Sequence, residues 1–304
     1  MIKRIPEKPA FLFPGVGGEY TGFLAQLDRR QSEVLQEYRR VIRQETGLDL
    51  DRDDQGDKMF RDWIKLFTGD CLVYHTYQAW GIRPAVMMGY SMGLITALVC
   101  SRAFSFAAGL RLLKTIYEYS KCFAGKNQGM GVIIGKSGRE VAQIIAANTL
   151  EKFVYIASEN SDTCIVISGL IAELGQILQI AEQSGAIKVA AIKAPNAFHS
   201  PLAARGMESL VKLVGEMPVS DSEIPLLSLY NQQILHSAAD LKRELLLNMS
   251  GVMKWKDSIL KLGASGIDSF LEVSPDDALS RMSRVINLDY EFLTYQKIRR
   301  LQNF

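Results

Sequence analysis

The chain has 304 residues, enough to bury a full hydrophobic core in one large domain or in a large domain with a small insert. Its hydrophobic content is 48%, its charged content is 22% and its net charge is +2, so the composition does not favour nucleic acid as a partner. Segment 1–9 lacks the apolar stretch of a signal peptide, and no run reaches the roughly 18 apolar residues of a membrane-spanning helix, so we expect no membrane partner.

The first part of the chain alternates short apolar runs with amphipathic segments. The predicted strands here are 9–14 and 84–88, and the predicted helices are 23–46, 59–80, 92–102 and 106–124. The first strand ends in the glycine-rich loop 15–18. The second strand runs directly into Gly-Tyr-Ser-Met-Gly at 89–93.

Residues 127–193 have a different pattern. The predicted elements are strand 131–135, helix 137–149, strand 153–157, a turn at 159–162, strand 164–168, helix 171–184 and strand 187–192. The order βαββαβ is that of a ferredoxin-like fold. We therefore predict a small domain at 127–193, inserted into a larger domain formed by 1–126 and 194–304.

After this insert the chain returns to alternating helices and strands. The predicted helices are 200–216, 241–249, 256–263 and 278–285, and the predicted strands are 226–230 and 269–273. Strands that alternate with helices predict an α/β fold, with a mostly parallel sheet that helices cover on both faces.

The segment around Ser91 has the pattern of a nucleophile elbow. An apolar strand, Gly-x-Ser-x-Gly and a predicted helix follow one another, and in this arrangement a sharp turn lifts the serine hydroxyl out of the sheet. The start of the following helix presents free N–H groups and the positive end of its dipole, which would stabilise an oxyanion.

A nucleophilic serine needs a base, and the chain contains three histidines. His75 lies on an amphipathic helix, where we expect a partly buried structural residue. His236 lies in a predicted loop before a helix, which favours a surface position. His199 follows the insert and lies between two prolines, so we expect it beside a cleft as the candidate base.

Six segments of the chain, in order, resemble the motifs of one family. They are Phe11-Leu-Phe-Pro-Gly-Val-Gly-Gly-Glu19, Gly89-Tyr-Ser-Met-Gly-Leu94, Gly129-Met-Gly-Val-Ile-Ile-Gly135, Asn196-Ala-Phe-His-Ser200, 248–255 and Phe270-Leu-Glu-Val-Ser-Pro275. The family is that of the malonyl-CoA:acyl carrier protein transacylases and the related acyltransferase domains of polyketide synthases. The resemblance implies a hydrolase-like α/β domain with a ferredoxin-like insert, as the order of elements also predicts.

The resemblance implies a ping-pong mechanism. Ser91, deprotonated by His199, would attack an acyl-coenzyme A or acyl carrier protein thioester, and the acyl group would then pass to a phosphopantetheine thiol. The backbone N–H groups of Val16 and Met92 would hold the oxyanion. A backbone carbonyl at Asn248 would orient the histidine. No permanently bound cofactor or metal is expected, because the thioester is a substrate.

The resemblance also implies polar groups near the site at Ser158 and Asn160, although a plain turn explains Asn160 nearly as well. In the family an arginine on the helix after the elbow binds the malonyl carboxylate. Counting forward from residue 106 gives Ile116 at this position, and counting back from residue 130 gives Thr115.

Neither of these residues is basic, and Arg111 should point elsewhere. With Tyr90 for histidine and Leu94 for glutamate, the pocket becomes more apolar, which favours an uncharged acyl group over malonyl. The alternative is that Lys114 or Lys121 reaches the site from another direction.

Three functions remain open at this point. The first is a stand-alone acyltransferase that acts on acyl carrier proteins, in polyketide-type or related biosynthesis. The second is an editing hydrolase that uses the same Ser91 and His199 but passes the acyl group to water. The third is an inactive docking protein, which the retained serine, histidine and glycines disfavour. The four cysteines lack metal-type spacing, so we expect buried free thiols and a cytoplasmic location.

Overall fold

Two separate β-sheets organise the computed structural model, which describes residues 6–18, 20–52, 56–123 and 127–302. The strands are β1 (Ala10–Phe13), β2 (Val86–Gly89), β3 (Gln128–Ile134), β4 (Val154–Ser161), β5 (Cys164–Leu170), β6 (Lys188–Ile192), β7 (Leu226–Leu227), β8 (Ile234–Leu235), β9 (Ser269–Glu272) and β10 (Glu291–Leu293). The helices are α1 (Thr21–Leu24), α2 (Arg29–Thr46), α3 (Lys58–Ala79), α4 (Gly93–Cys100), α5 (Phe106–Phe123), α6 (Gly138–Ala147), α7 (Ile171–Gln183), α8 (Glu208–Glu216), α9 (Ala238–Ser250), α10 (Trp255–Ala264), α11 (Ala278–Ser283) and α12 (Tyr295–Gln302).

The larger sheet has six strands in the order β10-β9-β1-β2-β7-β8. Its pairs are parallel except for β7 and β8, which are antiparallel. Alternate residues of the fully buried strand β1 enter different cores: Phe11 and Phe13 pack in one, and Ala10 and Leu12 in the other. Both faces of the sheet are therefore covered, which confirms the predicted α/β class with a mostly parallel sheet.

The smaller sheet is antiparallel, with its four strands in the order β4-β5-β3-β6. Along the chain its elements follow one another as β3, α6, β4, β5, α7 and β6, which confirms the ferredoxin-like βαββαβ order. Apolar residues of α6 and α7 pack on one face of this sheet. The predicted domain limits at 127 and 193 stay a prediction.

Strand β4 is longer than predicted, and the turn expected at 159–162 lies instead at 162–163. The strand stays paired with β5 up to Ser161. Its end also hydrogen bonds to the chain before α10: Met253 N donates to Ala157 O at 3.0 Å and Glu159 N to Met253 O at 2.9 Å. Lys254 Nζ also contacts Glu159 Oε1 at 2.8 Å. The smaller sheet is thereby joined to the loop that precedes α10.

Several other expectations also need correction. The predicted helix 200–216 is divided into a 3₁₀ turn at Pro201–Ala204 and α8, with Gly206 in the left-handed region at φ +77° between them. Strand 226–230 is shortened to β7, whereas β8, β10 and α12 were not predicted. The four cysteines are free thiols, but only Cys71 and Cys100 are buried, whereas Cys164 is half-buried and Cys122 is exposed.

Some predicted features lie outside the described residues: residue 19 of the first motif, the helix end at 124, the domain junction at 124–126 and the chain ends 1–5 and 303–304. Within the described ranges, no helix is both long enough and apolar enough to cross a membrane.

Candidate active site

The turn between β2 and α4 holds Ser91 in the left-handed region, at φ +55°. The glycines on either side are required by close contacts. A Cβ atom on Gly89 would lie 2.3 Å from Leu94 Cα, and one on Gly93 would lie 2.1 Å from Phe13 O. Only glycine at both positions lets the start of α4 pack this closely against the sheet, so the pattern is structurally that of an elbow.

Ser91 and His199 form a hydrogen-bonded pair, with 2.9 Å between Ser91 Oγ and His199 Nε2. The His199 side chain is 3% exposed, and its backbone, at φ +58°, is fixed by a hydrogen bond from His199 N to Met249 O at 2.8 Å. Burial lowers the pKa of His199 to about 4, although the backbone carbonyl of Asn248 acts in the opposite direction. The imidazole is therefore neutral at pH 7 and able to accept a proton.

Asn248, in the last turn of α9, connects the elbow to the rest of the site. Its Nδ2 donates to Ser91 O at 3.0 Å, and its Oδ1 accepts from Tyr230 Oη at 2.7 Å. The His199 Nδ1 atom is buried, and no atom in the described part of the chain meets hydrogen-bond geometry with it. The Asn248 carbonyl thus influences His199 electrostatically, while the Asn248 side chain holds the turn that carries Ser91.

The glycine-rich loop lies directly against the elbow. A Cβ atom on Gly15 would stand 3.0 Å from Tyr90 O and 3.2 Å from Ser91 Cβ. The next residue, Val16, lines the same pocket as Ser91 and Met92. Neither Val16 N nor Met92 N donates to an acceptor among the described residues, so both N–H groups are available to a ligand.

A buried polar cluster anchors the far side of this loop. Tyr20 Oη donates to Asp70 Oδ1 at 2.7 Å and lies 2.8 Å from Ser274 Oγ. The Tyr20 ring packs against Gly69, where a Cβ atom would lie 2.4 Å from the ring. Burial raises the pKa of the Asp70 carboxyl well above its usual value.

The pocket beside Ser91 is a cavity of about 60 Å³. Its lining consists of eight apolar and three polar residues: Val16, Trp63, Met92, Ile95, Leu113, Ile116, Phe198 and Met249, with Ser91, His199 and Asn248. None of these residues, all within the described ranges, is charged. Groups from the loop, α3, α4, α5 and α9 thus line one pocket beside Ser91.

Residues 10–284 match the family of acyl transferase domains. The chain belongs to this family. It is 25% identical over 287 residues to a malonyl CoA-acyl carrier protein transacylase of Bacillus subtilis, covering 92% of this chain and 90% of that relative. It is 26% identical over 281 residues to the polyketide biosynthesis protein ThaF of Burkholderia thailandensis, covering 91% of this chain but 24% of that protein.

A solved structure, that of the malonyl CoA-acyl carrier protein transacylase from Coxiella burnetii, is similar to this acyl transferase domain. The TM-score is 0.89 at 25% sequence identity, and the match covers 98% of this chain and 96% of the other. The two-sheet fold described above is therefore that of an acyl transferase.

Six of the ten residues predicted for the site line the pocket of this acyl transferase domain: Val16, Ser91, Met92, Ile116, His199 and Asn248. Four others do not: Tyr90, Leu94, Ser158 and Asn160.

Of the four residues that do not line the pocket, Leu94 is buried in the core of the large domain, behind Gly89. Tyr90 Oη donates to Asn160 Oδ1 at 3.0 Å, and Ser158 Oγ donates to the same atom at 2.7 Å. Asn160 is thus a buried strand residue rather than a turn residue.

Sequence reasoning missed Trp63, Ile95, Leu113, Phe198 and Met249 of the pocket, and Tyr230 behind it. Helical spacing offered a signal for two of them, because Ile95 lies three residues after Met92 and Leu113 three before Ile116. Trp63 had no such signal, since α3 precedes the elbow by many residues. Of the other histidines, His236 is exposed. His75 is solvent-accessible but lies 6.0 Å from the Tyr38 ring and 6.2 Å from the Tyr74 ring, and burial lowers its pKa, as its expected partial burial implies.

The structure also distinguishes the two candidates for the arginine position. Ile116 lines the pocket, whereas Thr115 Oγ1 donates to the Arg111 carbonyl at 3.0 Å. Arg111 itself pairs with Glu45 at 3.0 Å. Lys121 Nζ lies 5.5 Å from the centre of the Tyr117 ring, and neither it nor Lys114 lines the pocket.

Proposed function

We propose that this chain moves an uncharged acyl group from an acyl-coenzyme A or acyl carrier protein thioester to the phosphopantetheine thiol of an acyl carrier protein. The observation that carries the proposal is the 2.9 Å contact between Ser91 Oγ and His199 Nε2 at an uncharged pocket. The Bacillus relative is named as a carrier-protein transacylase and ThaF as a polyketide biosynthesis protein, which supports a role in fatty-acid or polyketide-type biosynthesis. The thioester acts as substrate, not as a resident cofactor.

In the first half-reaction, His199 Nε2 accepts the proton of Ser91 Oγ while Oγ attacks the thioester carbonyl. The N–H groups of Val16 and Met92 donate to the oxyanion of the tetrahedral intermediate. The carbon–sulfur bond then breaks, the leaving thiolate takes the proton from His199, and acyl-Ser91 remains. The Asn248 carbonyl, which raises the pKa of His199, favours the imidazolium that forms during this step.

In the second half-reaction, a carrier-protein thiol replaces the first thiol. Its proton passes to His199 while its sulfur attacks the acyl-Ser91 carbonyl. The carbon–oxygen bond to Ser91 breaks, and Oγ recovers its proton from His199. The same oxyanion donors act in both steps, so one set of groups catalyses transfer in both directions.

The acyl group should be uncharged because the pocket provides no cation. A malonyl carboxylate beside Ile116 would be removed from water without a paired charge, which typically costs about 3–5 kcal/mol. Acetyl and similar groups carry no such penalty. We expect them to load onto Ser91 at least about 10²-fold faster than malonyl.

The test is acyl loading followed by intact mass spectrometry. The protein is mixed with acetyl- and malonyl-thioesters, and its mass is measured before and after a holo carrier protein is added. We expect an acetyl adduct that is absent in Ser91→Ala and that moves to the carrier protein. Release of free acid in place of transfer would identify a hydrolase, and no adduct with any thioester would contradict the proposal.

Ile116→Arg tests the role of the missing arginine, with Thr115→Arg as its matched control. The first variant adds a guanidinium at the pocket, and the second adds it on α5 beside the pocket. We expect the ratio of malonyl to acetyl loading to rise at least ten-fold in the first variant only. Rapid malonyl loading of the wild-type protein would contradict the proposed preference for uncharged acyl groups.

A further inference from the structure

Trp63 forms part of the pocket wall, yet the proposed mechanism does not use it. It lies on α3, lines the cavity with Ser91, and is 5% exposed. Its ring meets the Tyr117 ring edge-on, with 6.2 Å between centroids. Tyr117 in turn stacks on Phe60 at 4.6 Å, and both of these residues are buried. The indole therefore cannot withdraw from the cavity without displacing a packed aromatic cluster.

The cavity that this wall encloses is small. Its volume is about 60 Å³, whereas a cavity that holds benzene, with six carbon atoms, measures roughly 150 Å³. The space beside Ser91 is thus enough for two or three carbon atoms. Leu113 and Ile116 on α5 and Ile95 on α4 line the cavity along with Trp63, and none of them offers a charge to the acyl group.

We propose that Trp63 is a specificity-determining residue that limits the acyl group on Ser91 to two or three carbons. This inference rests on the proposed function, because it requires an acyl-Ser91. A longer chain that extends towards α3 would have to displace the indole, and the stacked rings of Tyr117 and Phe60 oppose that displacement. A smaller residue at 63 would open space at the wall of the cavity and admit the longer chain.

The experiment compares Ser91 loading from acetyl-, propionyl-, butyryl- and hexanoyl-pantetheine thioesters, measured as initial rates by intact mass spectrometry. The variant is Trp63→Leu, and the matched control is Trp80→Leu, whose ring stacks on Tyr295 and does not line the cavity. In the wild type we expect loading to fall at least ten-fold between propionyl and hexanoyl. In Trp63→Leu we expect the hexanoyl-to-acetyl ratio to rise at least ten-fold, with no change in the control.

Trp63→Phe serves as a second, milder variant, because it keeps an aromatic ring against Tyr117 and is expected to fold. It should shift the same ratio in the same direction by a smaller factor. Equal wild-type rates for hexanoyl and acetyl, or an unchanged ratio in both Trp63 variants, would overturn the inference while leaving acyl transfer intact. No acyl-Ser91 from any thioester would overturn the proposed function and this inference with it.

Discussion

His199 is the residue whose chemistry depends most on its surroundings. Burial lowers its pKa to about 4, so the neutral form that can accept the Ser91 proton persists well below the ordinary pKa of 6.5. We expect kcat/KM for acyl transfer to fall with decreasing pH only as the pH approaches 4. The measurement is a pH–rate profile from pH 4 to 8, with circular dichroism at each pH as the control for unfolding. An acidic limb centred near 6.5 would contradict this assignment.

At the scale of elements, the glycine-rich loop depends on a support built from α3 and the segment after β9. Tyr20, which follows the loop, is fixed by hydrogen bonds to Asp70 on α3 and to Ser274 after β9. Tyr20→Phe removes both bonds and leaves Asp70 without the partner of its Oδ1 atom. The loop carries Val16, whose N–H group is a proposed oxyanion donor. Displacing this donor would weaken binding of the transition state but not of the substrate, so we expect kcat to fall about ten-fold with little change in KM.

The matched control for this variant is Tyr295→Phe. Tyr295 is also buried, and its hydroxyl accepts a hydrogen bond from Gln31 at 3.2 Å, but it lies on α12 and lines no part of the pocket. Both variants should lose stability, and Tyr20→Phe should lose more, since it removes two buried hydrogen bonds and Tyr295→Phe removes one. Only the Tyr20 variant should lose kcat when both are assayed well below their melting temperatures. Equal losses of kcat would indicate that Tyr20 is merely structural.

For the whole molecule, two buried carboxyls make stability depend on pH. Burial raises the pKa of Glu244 to about 7 and that of Glu272 to about 7. In the unfolded chain both groups release their protons near pH 4.5, so the unfolded state is increasingly favoured as the pH rises from about 4.5 to about 7. Each carboxyl would lower the free energy of unfolding by up to about 3 kcal/mol across this window.

Glu244→Gln isolates this effect, because the amide can still hydrogen bond with Ser228 and with Leu229 N. We expect the variant to lose less stability than the wild type between pH 5 and pH 8. The measurement is urea-induced unfolding at both pH values. His199 acts in the opposite sense, since its stabilising contribution is lost as the pH falls from 6.5 towards 4, but this contribution is common to both proteins. If the free energy of unfolding changed equally with pH in Glu244→Gln and in the wild type, the raised pKa assigned to Glu244 would be contradicted.

Features that local chemistry determines could be predicted from the sequence. The elbow at Ser91 follows from glycines, an apolar strand and a helix in sequence, and the start of α6 follows from a capping box between Ser137 and Glu140. The α/β class and the βαββαβ order need only the succession of elements. His199 could be predicted as the candidate base because the chain has three histidines and this one follows the insert.

Features that depend on long-range packing could not be predicted in this way. The end of strand β4 also hydrogen bonds with Met253, far away in the chain, in addition to its pairing with β5. Whether Thr115 or Ile116 faces the pocket depends on how α5 is rotated about its own axis. The packing of α5 against its neighbours fixes that rotation. Trp63 reaches the pocket from α3, and no spacing in the sequence relates it to Ser91.

The left-handed backbone of Ser91 has a consequence for evolution and engineering. At φ +55° a residue with a Cβ atom costs about 1–2 kcal/mol relative to its relaxed conformation, a cost that glycine avoids. We expect Ser91→Gly to unfold at a higher denaturant concentration than Ser91→Ala, although both variants lack the nucleophilic hydroxyl. The proposed nucleophile is thus held at a position where glycine would fold with less backbone strain.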